Sequence, residues 1–315
     1  MKRLRYGLIG VGPIGCVVAA HLAQGGAEVV AYSIDSEVTR ALRAGPIRVN
    51  GALRAEGRIA KVHTELAPLL AEKPDVIILA VKACHNLALL EQIRALGGAG
   101  RAVALSCQNG LNTEEAIAEV FGKDRSLRMV MNIGCRFLSG SEIDVKFFLP
   151  HVLSIVKGVD SSTIEQIASD LNRVGFQVEA KVDYQLDIFK KAILNSSLGT
   201  ICSLTGLTMR AAVESPEIEA VIRSLVLEGI ELAKASSLNL SSAFTEEAMT
   251  YLRDAGDHKP SMALDIEYGR PTENEDHCGA LTRLGKRLGV ATPVTQAMYF
   301  LMKDLERRAS KKRES

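Results

Sequence analysis

The first half of the chain alternates short apolar runs with amphipathic stretches, a pattern typical of strands and helices in turn. Apolar runs at residues 6–9, 28–33, 77–81 and 102–106 predict strands, the later ones buried on both faces. Helical patterns follow residue 13 and span 113–121 and 161–174, and residues 45–63 hold only short β-like pieces. Strands near Met129, Val145 and Ser154 are expected to extend the sheet. The pattern predicts a doubly wound α/β domain.

From about Tyr184 onward, strand-like runs disappear and apolar residues recur at helical spacing. We therefore predict an all-α second half joined to the sheet domain near residue 180. The expected boundaries are 1–182 for the dinucleotide-binding domain and 183–315 for a helical domain that serves the substrate or dimerisation. A cleft between two such domains is a favoured place for a substrate beside a cofactor.

Composition describes an ordinary globular protein. The chain has 315 residues, 47% of them hydrophobic, and its 38 Lys and Arg nearly balance 37 Asp and Glu. That balance, the absence of Trp and an aromatic content of 4% argue against nucleic acid and anionic membranes as partners. The basic tail after residue 306 is interpreted as a solvated helix end.

Cysteine spacing and hydropathy point to a reducing compartment. The six cysteines are scattered without any Cys-x-x-Cys, which is neither a disulfide framework nor a zinc pattern. No apolar run is long enough to span a bilayer, and the N-terminus leads directly into a strand rather than a signal peptide. The expected location is cytoplasmic.

The clearest chemical motif is a glycine turn between the first strand and the first helix. Gly10-x-Gly12-x-x-Gly15 has the order of a turn that holds a dinucleotide pyrophosphate at a helix N-terminus. Gly10 permits the tight turn, Gly12 permits close approach of the phosphates, and Gly15 permits close helix–strand packing. We predict that the cofactor contacts Gly10, Gly12, Pro13, Ile14 and Gly15. The alternative is a glycine-rich turn in another kind of α/β protein.

Asp35 stands where an acidic residue would bind the adenine ribose. It follows Gly15 by twenty positions at the end of the second predicted strand, so it could accept the ribose hydroxyls and repel a 2′-phosphate. It could equally serve as a helix N-cap. The charge favours NAD slightly, although Arg40 and Arg43 follow closely and leave NADP open.

Two further polar residues end neighbouring predicted strands. Lys82 follows Val81, and Asn109 lies in the turn formed with Gln108 and Gly110. Ligands bind at the carboxyl ends of strands in open α/β sheets, which favours roles for Lys82 and Asn109 toward cofactor and substrate. Each could also be an ordinary surface or turn residue.

Lys191 and Asn195 are four residues apart, on one face of a predicted helix with apolar neighbours. We expect Lys190 or Lys191 to be drawn partly inward. Burial lowers the pKa of a lysine ammonium and makes it a better proton donor near neutrality.

A polar stretch from Ser261 to Gly279 offers Glu273 after a Gly-Arg-Pro turn. Glu273 could simply be a first-turn partner of a helix dipole. His277 is expected to face solvent, and no histidine pair has the spacing of a metal site, so no metal is predicted.

Taken together, these motifs resemble the ketopantoate reductase family over nearly the whole chain. The matching pieces, in chain order, are Gly10-x-Gly12-x-x-Gly15, Val81-Lys82, Gln108-Asn109-Gly110, Lys191-x-x-x-Asn195, Ser261-Met262, Thr272-Glu273 and the segment 288–294. The resemblance implies a Rossmann-type domain, a helical domain, and NAD(P)H-dependent reduction of a 2-keto acid, with 2-dehydropantoate reduced to pantoate as the leading candidate.

The resemblance also implies roles for individual residues. Lys191 would be the general acid, and Glu273 would orient it or bind a substrate hydroxyl. Asn195 and Ser261 would bind polar groups of the substrate, while Asn109 and Lys82 would hold cofactor and substrate at the sheet edge.

One departure affects the substrate: the family usually has a second asparagine where this chain has Gly199, and we expect that glycine to open the pocket. A second affects the cofactor, because many NADP-using members have an arginine where this chain has Ile34 and Asp35. The alternatives are therefore a reductase of another 2-keto acid and a non-catalytic dinucleotide sensor. A homodimer is compatible with the apolar helices, but so is core packing.

Overall fold

The computed structural model describes residues 3–34, 36–111 and 113–314, with side chains as far as Ser310. The chain divides into two compact units. The first contains residues 1–108 and 112–184, and the second contains residues 109–111 and 185–315. The short segment Asn109–Leu111 therefore belongs to the second unit although it begins only three residues after the end of a strand of the first.

The described residues of the first unit form twelve strands, numbered in chain order. They are β1 (Arg5–Ile9), β2 (Glu28–Tyr32), β3 (Ile47–Gly51), β4 (Ala55–Gly57), β5 (Lys61–His63), β6 (Val76–Leu79), β7 (Val103–Ser106), β8 (Ser126–Val130), β9 (Ile133–Ser139), β10 (Glu142–Phe148), β11 (His151–Ser154) and β12 (Val178–Lys181).

Eight of these strands make the main sheet, in the order β12-β11-β8-β7-β6-β1-β2-β5. All neighbours are parallel except β11 and β8. Strands β6 and β8 are buried along their whole length, as expected of strands covered on both faces. The predicted doubly wound α/β domain is confirmed.

The first unit also contains six α-helices, which connect the strands. They are α1 (Pro13–Gln24), α2 (Glu37–Ala44), α3 (Leu66–Ala71), α4 (Asn86–Ala95), α5 (Thr113–Phe121) and α6 (Ser161–Asn172). Helix α5 has the predicted bounds, and α6 ends two residues earlier than predicted.

One prediction about the sheet is wrong. Val145 lies on β10, which belongs to a separate four-stranded sheet of order β4-β3-β10-β9 and does not extend the main sheet. The reason is visible in burial: Ile143 and Val145 are buried while Lys146 is exposed, so β10 covers a core with one face only. The irregular span 45–63 supplies β3 and β4 to this sheet and β5 to the edge of the main sheet.

The second unit is helical, as predicted. Its helices are α7 (Tyr184–Thr205, whose first residue clusters with the first unit), α8 (Met209–Glu214), α9 (Pro216–Ala235), α10 (Phe244–Asp254), α11 (Ser261–Glu267), α12 (Cys278–Leu288) and α13 (Pro293–Glu314). Burial of apolar residues along α9, including Ile222, Leu225 and Val226, gives this unit its own core.

The segment 288–294 contains the end of α12 and the beginning of α13. Gly289 ends α12 with a φ of +69°, a left-handed conformation that favours glycine, and Pro293 begins α13. The Glu228 carboxylate of α9 accepts hydrogen bonds from the backbone N–H groups of Val294 and Thr295, both at 2.8 Å. A carboxylate there satisfies amides that the helix leaves unpaired and complements its dipole.

Candidate functional site

The three motif glycines meet different surroundings in the turn between β1 and α1. Gly10 has a φ of +101°, and a β-carbon there would lie 2.6 Å from the backbone nitrogen of Val81. A β-carbon at Gly15 would overlap the carbonyl oxygen of Gly10. At Gly12, by contrast, nothing lies within 4 Å of the β-carbon position. Two glycines thus permit packing inside the protein, and the middle one faces open space.

The first turn of α1 carries unsatisfied amides. Gly12 is the N-cap, no side chain caps the helix, and no acidic residue lies in its first turn. Pro13 has no N–H to satisfy, so the amides of Ile14 and Gly15 are the ones that point out of the helix start. These amides lie at the positive end of the helix dipole, and together with the open space at Gly12 they fit a pyrophosphate group.

The segment after β6 is held by side-chain amides. Gln108, which is 4% exposed, donates from Nε2 to the carbonyl oxygen of Val81 at 2.9 Å and to Oδ1 of Asn86 at 2.6 Å. The Asn86 amide donates back to Oε1 of Gln108 at 3.0 Å. Lys82 is half-buried and begins the short 3-10 turn Ala83–His85. Sequence reasoning treated Gln108 only as part of a turn and missed Asn86, whose single signal was its place at a strand-to-helix junction.

The structure brings Asn109 and Glu273 together. Asn109 donates from Nδ2 to Oε2 of Glu273 at 3.3 Å, and Glu273 is 7% exposed. Next to this contact, the Leu111 amide donates to the carbonyl oxygen of Asp276, against which Gly110 also packs. The segment Asn109–Leu111 is therefore bound to the stretch 273–276 within the second unit.

His277 is buried, at 3% exposed, so its predicted exposure to solvent is wrong. It lies one turn after Glu273 and is the N-cap of α12, with its Nε2 3.9 Å from Oε2 of Glu273. The turn 273–277 folds back on itself through backbone hydrogen bonds to the Glu273 carbonyl oxygen, so His277 lies in a tight turn beside the buried Glu273 and not in an open loop.

Asp276 adds a titratable group to this turn. Burial, the nearby Glu273 carboxylate and Glu275 raise its pKa to about 6, against the opposing charge of Arg283. A carboxylate with two acidic neighbours and little access to water holds its proton more tightly than a free side chain does. The local potential around Glu273 therefore changes between weakly acidic and neutral pH.

Lys191 and Asn195 are both half-buried on α7, one turn apart, as their spacing predicted. Lys190 is also half-buried, with its Nζ 3.5 Å from Oε2 of Glu247 and 5.3 Å from the centre of the Phe244 ring. Lys190 is thus accounted for by an ion pair and an aromatic face. Which roles Lys191 and Asn195 play toward a substrate stays a prediction.

Gly199 does not open a cavity beside Asn195, contrary to expectation. It is buried, and a β-carbon there would lie 3.2 Å from Cε of Met262, which is 3% exposed. The space that a side chain at 199 would use is filled by the thioether of Met262, because methionine adapts to irregular gaps. Ser261, next to Met262, is exposed at the first position of α11.

Asp35 lies outside the described residues, so its predicted ribose contact stays a prediction. The N-cap of α2 is the neighbouring Ser36, whose side chain accepts the backbone N–H of Thr39 at 3.1 Å. The alternative role of Asp35 as an N-cap likewise lies outside the described residues.

Within the described residues, no helix is long and apolar enough to cross a membrane. Over the same part of the chain, no group of three or more His, Cys, Asp or Glu side chains is arranged to hold a metal ion.

Sequence comparison matches most of the chain to a single family. Residues 6–152 match the profile described as Ketopantoate reductase PanE/ApbA, and residues 183–306 match Ketopantoate reductase PanE/ApbA C terminal. A curated relative, the 2-dehydropantoate 2-reductase of Aquifex aeolicus, is 24% identical and covers 96% of this chain and 97% of its own length.

Solved structures share the fold over the whole chain. The 2-dehydropantoate 2-reductase of Geobacter metallireducens superposes with a TM-score of 0.87 at 22% identity, over 96% of this chain and 99% of that one. A D-mandelate dehydrogenase solved with NADH and anilino(oxo)acetate superposes with a TM-score of 0.85 at 20% identity, over 97% and 99%. At these identities the likeness establishes the fold.

Proposed function

We propose that this chain, which belongs to the ketopantoate reductase PanE/ApbA family, reduces 2-dehydropantoate to pantoate with a nicotinamide cofactor. The family is one of oxidoreductases that act on a CH–OH group, and the chain is an enzyme of that class. The observation that carries the proposal is the hydrogen bond from Asn109 to the buried Glu273, in the unit that also bears Lys191 and Asn195 one turn apart.

The first unit supplies the cofactor site. The uncapped start of α1 and the open space at Gly12 bind the pyrophosphate through the amides of Ile14 and Gly15. Lys82, which follows β6 in the chain, and Asn109, which follows β7 and is grouped with the second unit, hold the cofactor and substrate. When bound, the nicotinamide supplies the hydride for the keto carbon.

The second unit supplies the proton. As hydride reaches the keto carbon, negative charge grows on the oxygen, and the Lys191 ammonium stabilises this charge and then donates a proton to it. Glu273 orients the ammonium or accepts a substrate hydroxyl. Asn195 and Ser261 hold the polar groups of the acid, so that the carbonyl stays oriented toward Lys191.

We propose that the cofactor is NAD(P)H, with NADH slightly favoured on the charge of Asp35. A carboxylate that follows β2 in the sequence accepts the ribose hydroxyls and repels a 2′-phosphate. Asp35→Arg should shift the ratio of kcat/KM values toward NADPH, because a guanidinium pairs with phosphate. An unchanged ratio would show that Asp35 does not determine the cofactor preference.

A second candidate is reduction of a different 2-keto acid. The packing of Met262 against Gly199 favours it, because a thioether replaces a polar contact to the substrate. The D-mandelate dehydrogenase that shares this fold was solved with anilino(oxo)acetate, a 2-keto acid derivative with a bulky apolar group. A substrate with an apolar side chain would suit such surroundings.

The decisive experiment is oxidation of NADH and NADPH over a panel of 2-keto acids. Turnover that is fastest with 2-dehydropantoate supports the proposal, and faster turnover with an aromatic or branched 2-keto acid supports the second candidate. If calorimetry detects dinucleotide binding but no member of the panel is reduced, the chain is a non-catalytic dinucleotide sensor.

A homodimer is also proposed, with the exposed Phe300 and Leu301 of α13 as candidate contacts, and sedimentation would test it.

A further inference from the structure

A closed pair of buried amides lies at the carboxyl ends of β6 and β7. Gln108 and Asn86 are 4% and 7% exposed, and each donates to the side-chain oxygen of the other, at 2.6 and 3.0 Å. Ser106 adds a third donor, from Oγ to Oε1 of Gln108 at 3.2 Å. Buried polar groups whose hydrogen bonds are satisfied fix one geometry, since any displacement leaves a donor or acceptor unpaired.

This amide pair connects three segments of backbone. Gln108 binds the carbonyl oxygen of Val81, two residues beyond the end of β6, and Asn86 is the first residue of α4. The regular ladder between β6 and β7 ends at Leu79 and Ser106. Beyond that point, the Gln108 side chain replaces the ladder and holds the Val81–Lys82 backbone beside β7.

The same pair reaches the glycine turn through Val81. The backbone nitrogen of Val81 lies so close to Gly10 that a β-carbon there would be 2.6 Å away. Gln108 therefore holds the carbonyl group of Val81, the residue whose backbone nitrogen packs against the turn, while its own backbone leads directly into Asn109. Lys82 and Asn109, the two residues assigned to this edge of the sheet, each adjoin a residue that the pair fixes.

We infer that Gln108 and Asn86 are positioning residues for the cofactor site. Their assigned role is indirect: both are buried, and together they hold Val81 in place, and through it Lys82 and the glycine turn. This inference rests on the proposed function, because it assigns a purpose to the pair only if a dinucleotide binds here. The competing explanation is a buried polar network that contributes to stability alone.

Four variants separate the two explanations: Gln108→Leu, Asn86→Leu, the double variant, and Asn172→Leu as the control. Asn172 bridges two segments of the first unit in the same way but at an exposed position, with its amide bound to the backbone of Val178 at 2.9 and 2.6 Å. Two quantities are measured for each protein: the thermal unfolding midpoint, and the Kd of the oxidised and reduced dinucleotides without substrate.

Positioning predicts that stability and affinity diverge in the double variant. Each single variant leaves one buried amide unpaired and lowers the midpoint, whereas removing both partners recovers much of that loss. The Kd should nevertheless stay weaker by about tenfold in Gln108→Leu and in the double variant, because neither holds Val81. Asn172→Leu should lower the midpoint and leave the Kd unchanged.

A double variant that recovers affinity together with stability would overturn the inference, as would an unchanged Kd in folded Gln108→Leu. If Gln108→Leu does not fold, Asn86→Ser serves instead, because it keeps the bond from Gln108 to Val81. Positioning then predicts a smaller loss of dinucleotide affinity, and this loss does not scale with the fall in the thermal unfolding midpoint. Failure of the wild-type protein to bind either dinucleotide would instead overturn the proposed function.

Discussion

Asn109 and Glu273 are 164 positions apart in the chain, yet Nδ2 of one donates to Oε2 of the other. The contact places an amide donor on a buried carboxylate and binds the segment after β7 to the turn before α12. Because the acceptor is a buried carboxyl oxygen, losing this bond should cost more free energy than losing an exposed hydrogen bond.

Asn109→Asp should lower kcat/KM more than Asn109→Ala does. The alanine removes one donor, whereas the aspartate faces Glu273 with a second negative charge in partly buried surroundings. Loss of the bond alone should cost about 1–3 kcal/mol of unfolding free energy. Steady-state kinetics and denaturant unfolding of both variants measure the two effects. Equal kinetics for the two variants would show that Glu273 carries no charge that matters here.

Lys191→Ala should reduce kcat by roughly 10²–10⁴ without changing the Kd of the dinucleotide, because it removes a proton donor and not a cofactor contact. The matched control is the adjacent Lys190→Ala, which removes the ion pair to Glu247 and the contact with Phe244. The control should keep near-normal turnover. Pre-steady-state reduction with both variants measures the chemical step, and a comparable loss in the two lysine variants would contradict the role of Lys191.

Gly12→Ala should separate binding from folding. The backbone at Gly12 has φ −68° and ψ 175°, which alanine adopts freely, and its β-carbon would meet open space. The exchange at an N-cap should cost at most about 1 kcal/mol of stability, but the methyl would occupy the place of the phosphates. Calorimetric binding of the dinucleotide should weaken at least tenfold by our estimate, a loss of roughly 1.4 kcal/mol.

Gly15→Ala is the comparison, because its methyl would overlap the Gly10 carbonyl oxygen inside the protein. That variant should lose about 1–3 kcal/mol of stability by overpacking. If Gly12→Ala were the less stable of the two, Gly12 would not border open space, and this account of the turn would fail.

Gly199→Asn should be destabilising alone and compensated by Met262→Ala. A β-carbon at 199 already comes within 3.2 Å of Met262 Cε, so the larger side chain must displace the thioether at a cost of about 1–3 kcal/mol. In a double-mutant cycle of unfolding free energies, the paired variant should therefore be more stable than the sum of the single losses. Strict additivity would show that Met262 does not fill the place of the missing side chain.

The folded state should lose stability as the pH falls below the pKa of a free histidine side chain. His21 is fully buried, its Nδ1 lies 2.7 Å from the Val17 carbonyl oxygen, and burial holds its pKa below the ordinary 6.5 despite that hydrogen bond. Below pH 6.5 the unfolded chain binds a proton that the folded chain resists, so this stability is present above 6.5 and is lost on acidification.

Thermal unfolding between about pH 7.5 and pH 5 measures this effect, with His21→Leu as the variant that cannot titrate. The midpoint of the wild-type protein should fall more steeply than that of the variant. Parallel curves would assign the acid sensitivity to other groups.

The local hydrophobic pattern predicted which segments form strands better than it predicted which segments those strands pair with. The apolar run at 77–81 correctly indicated a buried strand, but β6 ends at Leu79, because a side chain from Gln108 takes over the pairing of Val81. The strand predicted near Val145 is present, but it was assigned to the wrong sheet. Periodicity specifies which face is apolar, and long-range packing decides what that face covers.

The candidate site shows the same limit. Helical geometry placed Lys191 and Asn195 on one face from their spacing alone. No local signal could show that Asn109 reaches Glu273, that Met262 fills the space at Gly199, or that His277 turns inward. Each of these depends on which distant segment packs alongside, and only the resemblance to a family brought some of those residues together beforehand.

The Glu228 carboxylate of α9 accepts the backbone N–H groups of Val294 and Thr295, and this clamp fixes where α13 begins. Both carboxylate oxygens are used by consecutive amides, so α13 can begin at one residue only and in one orientation. Insertions or deletions between Gly289 and Pro293 would slide those amides past the carboxylate, while changes in length at the far end of α13 would leave the clamp untouched. Evolutionary variation in chain length should therefore accumulate after this helix has begun, never in the connection that precedes it.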